Sequence, residues 1–473
     1  MPRLAIVPLI VACALFMENI DSTVITTSLP AIALDLGVDP LSLKLALTSY
    51  LLSLAVFIPI SGWMADRYGA RTVFRAAIIV FTLGSAACGF AQSLPDFVLY
   101  RVVQGMGGAM MVPVGRLVIL RGIPKHELVS ALAWLTMPAL LGPVIGPPLG
   151  GFITTYVDWR WIFWINIPIG LVGIALASRY IENVREQNVP PLDKRGFVLS
   201  GIGLSGIAFG LTTFGQGLLH PAIAASLLGV GAIATYAYVR HARRTRAPML
   251  DLKLLAIPTF YASVVGGSLF RLGIGAMAFM LPLLFQIGFG LTPFQSGMLT
   301  FATALGAIAM KTTAAPILRR FGFKQVLVVN AVISSLFIAA IALFTPVTPH
   351  AVILAVLLVG GFFKSLQFTS INSLAYADIE PRAMSRATSF ASVAQQLSMS
   401  AGVAVGAMVL ELERHGRPHA AVMPEDFATA FIVVASISAL STFVFLRLPK
   451  AAGASLSAPA RRVGTPQEGV TQA

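Results

Sequence analysis

Charge is what this sequence lacks most. Only 11% of its 473 residues are Asp, Glu, Lys or Arg, whereas soluble domains carry about 25%. A chain long enough for two or three soluble domains cannot build their polar surfaces from so few charges. Cysteine is nearly absent too. Cys13 and Cys88 both fall in apolar runs, so they are expected to be small buried residues, and no disulfide framework or metal set is possible. The histidines at 126, 220, 241, 350, 415 and 419 are scattered over predicted loops without metal spacing, and no metal site is expected. No G-x-x-x-x-G-K-[ST] loop is present to hold a nucleotide phosphate. A membrane enzyme would need a His, Cys or carboxylate cluster near one face, and a sensor would need an appended soluble domain. Neither is visible.

What is present is apolar: 57% of the chain. About 20 apolar residues suffice to cross a bilayer as a helix. Candidate helices fall at 4–33, 42–64, 73–92, 97–120, 128–155 and 159–181. A glycine-rich pair follows at 196–214 and 221–240. The last six lie at 257–288, 293–318, 324–345, 350–371, 385–411 and 427–448, making fourteen crossings. The first run continues through Glu18 and Asp21 without an A-x-A-like cleavage site, so it is expected to be a spanning helix and not a signal peptide.

The formal charge of +14 would suggest a nucleic-acid partner in a soluble protein. Its distribution gives another cause. With the N-terminus inside, 24 of the 33 Lys and Arg residues fall in segments predicted cytoplasmic. Four (Lys44, Arg160, Arg414 and Arg417) fall outside, and five lie within spans. That is the positive-inside bias of a multi-pass membrane protein with both termini cytoplasmic, and no nucleic-acid partner is expected.

The polar stretches 179–196 and 241–253 divide the chain. The expected units are a six-helix bundle (1–185), a linker with two additional helices (186–252), a second six-helix bundle (253–450) and a disordered cytoplasmic tail (451–473). A weak repeat supports paired bundles. GWMADRYGARTV (62–73) and APILRRFGFKQV (315–326) each join two helices with Arg, an aromatic residue, Gly and a basic residue. Repeated bundles around a midplane site are the architecture of secondary transporters. The fold class is therefore an all-α membrane protein, and the partners are the lipid bilayer and a small-molecule substrate.

Charged groups inside spans are costly and point to function. Glu18 and Asp21 lie one turn apart on one helix face. Low dielectric favours a neutral carboxyl group, which suits such a group to carry a proton. The alternative is that either acid is a structural partner for a buried Arg. The bases within spans are Arg101, Arg116, Arg271, Lys311 and Lys364. Arg271 occupies a place in its bundle's first helix like that of Glu18, and is expected to face Glu18 or Asp21 across the cavity. Arg116 and Lys311 lie nearer the cytoplasmic ends, where they either snorkel or line the cavity.

Two backbone features suggest moving parts. In GWMADRYGAR, Gly62 and Gly69 permit a tight connection, while Asp66 can bond to Arg67 or Arg71, or sit at a helix N-terminus. Such a latch would hold one side shut in one state, and ordinary charge anchoring is the plainer reading. In LLGPVIGPPLGGF (140–152), Gly142, Gly146 and Gly150 form a small-residue face, with Gly151 beside it, and Pro143, Pro147 and Pro148 remove backbone donors. That helix is expected to be a pivot and seal, or simply a packing interface.

These motifs together resemble the major facilitator superfamily, specifically its fourteen-span drug:proton antiporter branch (the EmrB/QacA type). The resembling segments are IDSTVITTSLP (20–30), GWMADRYGAR, LYRVVQGMGGAMMVP (99–113), GPVIGPPLGG (142–151) and WRWIFWINIPIG (159–170), and the likeness covers about 1–450. GRLVI (115–119) and QLSMSAGV (396–403) are similar to the MdtD-like group of multidrug transporters. The resemblance implies a major facilitator fold of two six-helix bundles plus two inserted helices. It implies proton-coupled export of small amphiphiles across the bacterial inner membrane, powered by the proton gradient with no other cofactor. It assigns proton coupling to Asp21 with Arg101, to which the cost of an acid within a span adds Glu18; it assigns gating to Asp66, Gly69 and Arg71, and exchange conformations to Gly146, Pro147 and Gly150. Some members of the branch work with a periplasmic adaptor, which this sequence does not test.

Three positions depart from the pattern. Ala70 stands where a basic residue is common, Arg319 where the second-half loop has an acid, and Gln395 where Arg is common. Two central acids face at least three central bases (Arg101, Arg271 and Lys364), so neutral or anionic amphiphiles are expected in preference to dications. Export of one specific metabolite and facilitated import are the alternatives.

Overall fold

A bilayer offers no water to satisfy backbone groups, so an apolar chain must close its hydrogen bonds within helices. The computed structural model describes residues 3–453 apart from 123–127, 187–188, 190, 214–219, 246, 381–382 and 416–421. No strand occurs among the described residues. The first half contains α1 (Arg3–Asp35), α2 (Lys44–Tyr68), α3 (Ala70–Cys88), α4 (Leu94–Gly122) and α5 (Leu128–Tyr156). The short α6 (Trp161–Trp164) runs into α7 (Asn166–Tyr180). Two middle helices follow, α8 (Lys194–Thr213) and α9 (Pro221–Arg244). Then α10 (Pro258–Tyr261) passes through a π-helical turn into α11 (Gly267–Leu283). The chain ends with α12 (Pro293–Ala340), α13 (His350–Leu374), α14 (Met384–His415), α15 (Pro424–Ala439) and α16 (Ser441–Leu446).

Among the described residues, twelve helices are long and apolar enough to cross a membrane. One of them, Pro293–Leu343, spans 51 residues. It contains a break at Gly322, whose φ of 74° is non-helical. Gly69, between α2 and α3, has φ 94°. These two glycines occupy the same place in the sequence repeat, and both hold the left-handed backbone that side chains disfavour. Pro40 and Pro293, at the first turns of the preceding helical segments, have the same sequence separation as Gly69 and Gly322.

In the first half α1 packs on α5, while α4 packs on α2 and α3. In the second half α11 packs on α14 and α15, and both arms of α12 pack on α13. The middle pair packs chiefly on itself, at small residues such as Gly206 and Gly231. Lipid is as apolar as Leu, so close van der Waals contact at small residues drives such association. α8 docks on α2, where the Phe57 and Phe197 rings lie 5.8 Å apart. His241 and Asp193 pair at 2.8 Å across the ends of α9 and α8.

Several sequence expectations change here. Cys88 is buried but Cys13 is exposed. Gly62 lies inside α2 with open space beside it, so it makes no tight connection. Lys44, placed in a loop by its charge, is fully buried at the start of α2. The segment 241–244, read as linker, continues α9. Most of the tail (454–473) lies outside the described residues.

Candidate functional site

The polar centre of the first half is built by five helices, α1, α2, α3, α4 and α7. Asp21 of α1 is 1% exposed and Arg101 of α4 is 0% exposed. They form an ion pair of 2.7 Å. The other carboxylate oxygen accepts hydrogen bonds from Gln104 Nε2 at 2.7 Å and Asn166 Nδ2 at 3.1 Å. Arg101 also donates to Gln104 Oε1 at 2.6 Å. Its guanidinium stacks 4.2 Å from the Tyr50 ring centroid. Asn166 Nδ2 is held in turn by Ser85 Oγ at 3.0 Å, and Ser85 donates to Phe163 O. Arg101 and Gln104 lie one turn apart on α4, which lets one helix face serve both carboxylate oxygens. A buried charge pair is tolerable only with such additional hydrogen bonds.

Glu18 lies one turn before Asp21 and is only partly buried. Its Oε2 has no hydrogen-bond partner. Arg116 is within electrostatic reach of it. Asp21 is thus shielded and paired, while Glu18 is its less shielded neighbour. The sequence pointed to Asp21, Glu18 and Arg101, and the structure brings all three together. It adds Asn166, Ser85 and Tyr50, which the sequence reading missed. Asn166 had a signal in its polar side chain inside WRWIFWINIPIG; Ser85 and Tyr50 had none that distinguishes them from packing residues.

The expected pairing of Arg271 fails. Its guanidinium donates to Asn372 Oδ1 at 2.7 Å inside the second half, and it is 2% exposed. Asp21 is already taken by Arg101, and α11 aims Arg271 at α13 instead. Arg116 and Lys311 are exposed, with Lys311 donating to Thr369 Oγ1 at 3.0 Å. Lys364 lies in a pocket of the second half.

The helix-2 loop docks on the segment after α7. Ala70 N donates to Val184 O, Glu186 N to Asp66 O, and the Arg71 guanidinium to Ile181 O at 3.4 Å. A Cβ at Gly69 would overlap the Asn183 carboxamide. The loop's glycine requirement is therefore both a positive φ and a close approach. Arg67 is exposed. Asn183 and Val184 as the loop's seat were not readable from the motif.

The glycine face of α5 receives α1. A Cβ at Gly142 would overlap Asn19, at Gly146 Thr23, and at Gly150 the carbonyl of Val24. The neighbouring face receives the start of α12: Gly151 abuts Pro293 and Gly297 abuts Pro147. The same helix thus seals against both halves. Gly150→Val is expected to cost about 1–3 kcal/mol, the usual penalty of overpacking, because the backbone oxygen of Val24 cannot move aside. Denaturation of the purified protein in detergent would measure it, and wild-type stability would show that α1 and α5 are not locked in register.

The two halves are joined by polar contacts at one end. Lys44 binds Glu411 at 3.1 Å and Asp39 binds Arg414. Gln286 Nε2 donates to Thr27 O at 2.9 Å, and Phe294 N to Thr155 Oγ1 at 3.1 Å. Phe294 also meets Phe152 and Tyr156. These contacts lie at the end of the molecule that carries Asp39, away from the Gly69 loop. The seam is shut there.

Comparison with known proteins agrees with this architecture. The family model described as Major Facilitator Superfamily matches residues 11–403 and 263–468. The chain is 36% identical over 444 residues to "Putative multidrug resistance protein MdtD" of Escherichia coli O6:H1, covering 93% of this chain and 94% of that protein. It is 37% identical over 450 residues to the protein of the same name from Salmonella typhimurium, with the same coverage. Among solved structures it resembles a D-xylose-proton symporter, with a TM-score of 0.68 at 15% identity over 95% of this chain and 98% of that one. It also resembles the POT family transporter PepTSo, with a TM-score of 0.69 at 14% identity over 94% and 97%. At these identities the structures speak for the fold alone, whereas the family match and the curated relatives span nearly the whole chain. This chain belongs to the Major Facilitator Superfamily, and it is a multi-pass membrane transporter, not an enzyme.

Proposed function

We propose that the protein is a multidrug exporter that expels small amphiphilic compounds from the cytoplasm in exchange for protons. The observation that carries this reading is the buried Asp21–Arg101–Gln104–Asn166 network, with the half-shielded Glu18 one turn away. The names of the relatives support the multidrug part. On this reading the chain crosses a bacterial inner membrane fourteen times with both termini in the cytoplasm. The fourteen are the twelve apolar helices, with Pro293–Leu343 counted as two at its Gly322 break, and α5. The Asp39 end is then the outer face, and the shut seam corresponds to a state open towards the cytoplasm.

Alternating access gives each group a task. When the outer seam opens, a proton reaches Glu18 and passes to Asp21. A neutral Asp21 no longer needs Arg101, so the hold between α1 and α4 weakens and the halves are free to reclose. In the inward state the proton leaves to the cytoplasm and Asp21 pairs again with Arg101. The proton gradient supplies the energy, with no nucleotide and no resident cofactor. α5, packed on α1 and α12, is the pivot, and the Gly69 loop is the cytoplasmic latch. Any periplasmic adaptor would meet the outer face.

The test uses proteoliposomes with a trapped pH-sensitive dye and a panel of amphiphiles. Wild type is expected to move protons when substrate is added, and Asp21→Asn is expected to lose at least nine-tenths of that flux. Substrate movement without proton flux would make the protein a facilitator and overturn the coupling role of Asp21.

A further inference from the structure

The two middle helices run antiparallel in a register that their glycines fix. Gly203 of α8 abuts Thr235 of α9, Gly206 abuts Gly231, and Gly210 abuts Leu228. As one number rises the other falls, so α8 starts where α9 ends. Carried onward, this register sets Lys194 and Arg195, at the start of α8, level with Arg243 and Arg244, at the end of α9. The 2.8 Å contact between Asp193 and His241 ties the two ends together. Tyr238 holds the α9 end from behind, donating to Leu250 O at 3.0 Å and accepting from Leu250 N at 2.8 Å.

Like charge is thereby concentrated. Lys194, Arg195, Arg240, Arg243 and Arg244 are all exposed. None of them has an ion pair with a described residue. Asp193, the acid beside Lys194, is already taken by His241 and by the Gly196 amide. Elsewhere basic groups do find partners: Arg386 binds Asp251 at 2.8 Å, and Arg71 binds a carbonyl. Five cations on two adjoining helix ends repel one another, and only something outside the chain can offset them.

Their height in the membrane says what that is. Gly206 and Gly231 lie near the middle of the two apolar helices. The cluster stands about 18 Å along the axes from that contact, at 1.5 Å per residue. Half the hydrocarbon core is about 15 Å thick, so the cluster sits at the phosphate level of one leaflet. Towards the membrane centre each helix continues it with an apolar stripe. On α9, Arg243 and Arg240 are followed at helical spacing by Tyr236 and Ile233, 69% and 70% exposed. On α8, Arg195 is followed by Val198 and Ile202, both exposed. A cationic head above an apolar track is complementary to an anionic phospholipid. A zwitterionic lipid brings an ammonium that the cluster repels, and a free phosphate leaves the track unused.

We infer that this end of the middle pair binds an anionic phospholipid, with its phosphate among the five basic side chains and its tails along the α8 and α9 stripes. The site goes beyond the efflux role and does not depend on it. On the proposed topology the lipid belongs to the cytoplasmic leaflet. It gives the middle pair, which packs chiefly on itself, a fixed contact with the membrane.

The test is native mass spectrometry of the purified full-length protein, offered phosphatidylglycerol and phosphatidylcholine of identical tails in equal amounts. Wild type is expected to retain phosphatidylglycerol about tenfold or more over phosphatidylcholine, since each basic group at headgroup level is worth about fivefold. Replacing all five basic residues by Gln is expected to remove most of that preference. Arg243→Gln with Arg244→Gln, a milder variant that guards against misfolding, should lower it several-fold. The control removes four exposed basic side chains outside the pair: Arg319, Arg320, Arg447 and Lys450, each to Gln. It should keep the preference, whereas ordinary charge anchoring would make the control fall as far as the cluster variant. Equal retention by wild type and the Arg243/Arg244 variant, or no preference in wild type, would overturn the site. Displacement of the lipid by tail-free glycerophosphoglycerol would overturn the lipid assignment in favour of a soluble phosphate.

Discussion

Arg101→Met is expected to destabilise the protein by about 3–5 kcal/mol, the cost of leaving one member of a buried ion pair without the other. The reason is geometric. Asp21 is 1% exposed, and no water or lipid headgroup reaches it to replace the guanidinium. Gln104 and Asn166 would still donate to one oxygen. The oxygen facing Arg101 would lose its described donor. The double variant Asp21→Leu with Arg101→Met removes both charges and is expected to recover most of the stability, because apolar replacement of a whole buried pair is often neutral. Transport coupled to protons would be absent from both. Denaturation of the purified proteins, wild type, single and double side by side, measures the cycle. If the double variant were no more stable than Arg101→Met, the pair would not be coupled and the network would be packing alone. Arg101→Lys is not a conservative control. A point-charge ammonium cannot serve Asp21, Gln104 and the Tyr50 ring together.

The second large effect concerns the shut seam. Lys44 is fully buried, and its ion pair with Glu411 joins α2 to α14 across the two halves. Truncating one partner of such a buried pair costs about 2–5 kcal/mol. That cost falls on the shut state, since opening the seam lets both groups reach water. Lys44→Met is therefore expected to shift the population towards the open seam by about thirtyfold or more, one decade for each 1.4 kcal/mol. A single cysteine at Thr27, in a background of Cys13→Ser and Cys88→Ser, reports the opening through its labelling rate by an impermeant thiol reagent. Thr27 lies at the seam, where its carbonyl accepts from Gln286. Lys44→Glu combined with Glu411→Lys should restore slow labelling. Unchanged labelling in Lys44→Met would mean that the seam is held by α5 against α12 and not by this pair.

How much of this was legible in the sequence depends on the range of the interaction. Asp21, Glu18 and Arg101 were named from their cost in an apolar span and from the motifs around them. Gly69 and the α5 glycines were named because motif and backbone preference are local. Lys44 was misplaced: its charge suggested a solvated loop, and only the approach of Glu411 from a helix hundreds of residues away permits it to be buried. Arg271 was misassigned for the converse reason. Symmetry suggested a partner acid, but the helix crossing turns the side chain towards Asn372. Asn166 and Ser85 escaped notice because a polar residue in a span announces a need for partners without saying where they are.

The sequence by itself determined that the chain is an all-helical, multi-pass membrane protein. That property follows from apolar length, which lipid imposes on each segment independently of the others. Only the tertiary structure decided which buried charges pair and which end of the seam is shut. Those outcomes depend on how helices distant in sequence cross, and a low-dielectric interior makes each crossing decisive by penalising every polar group left without a partner.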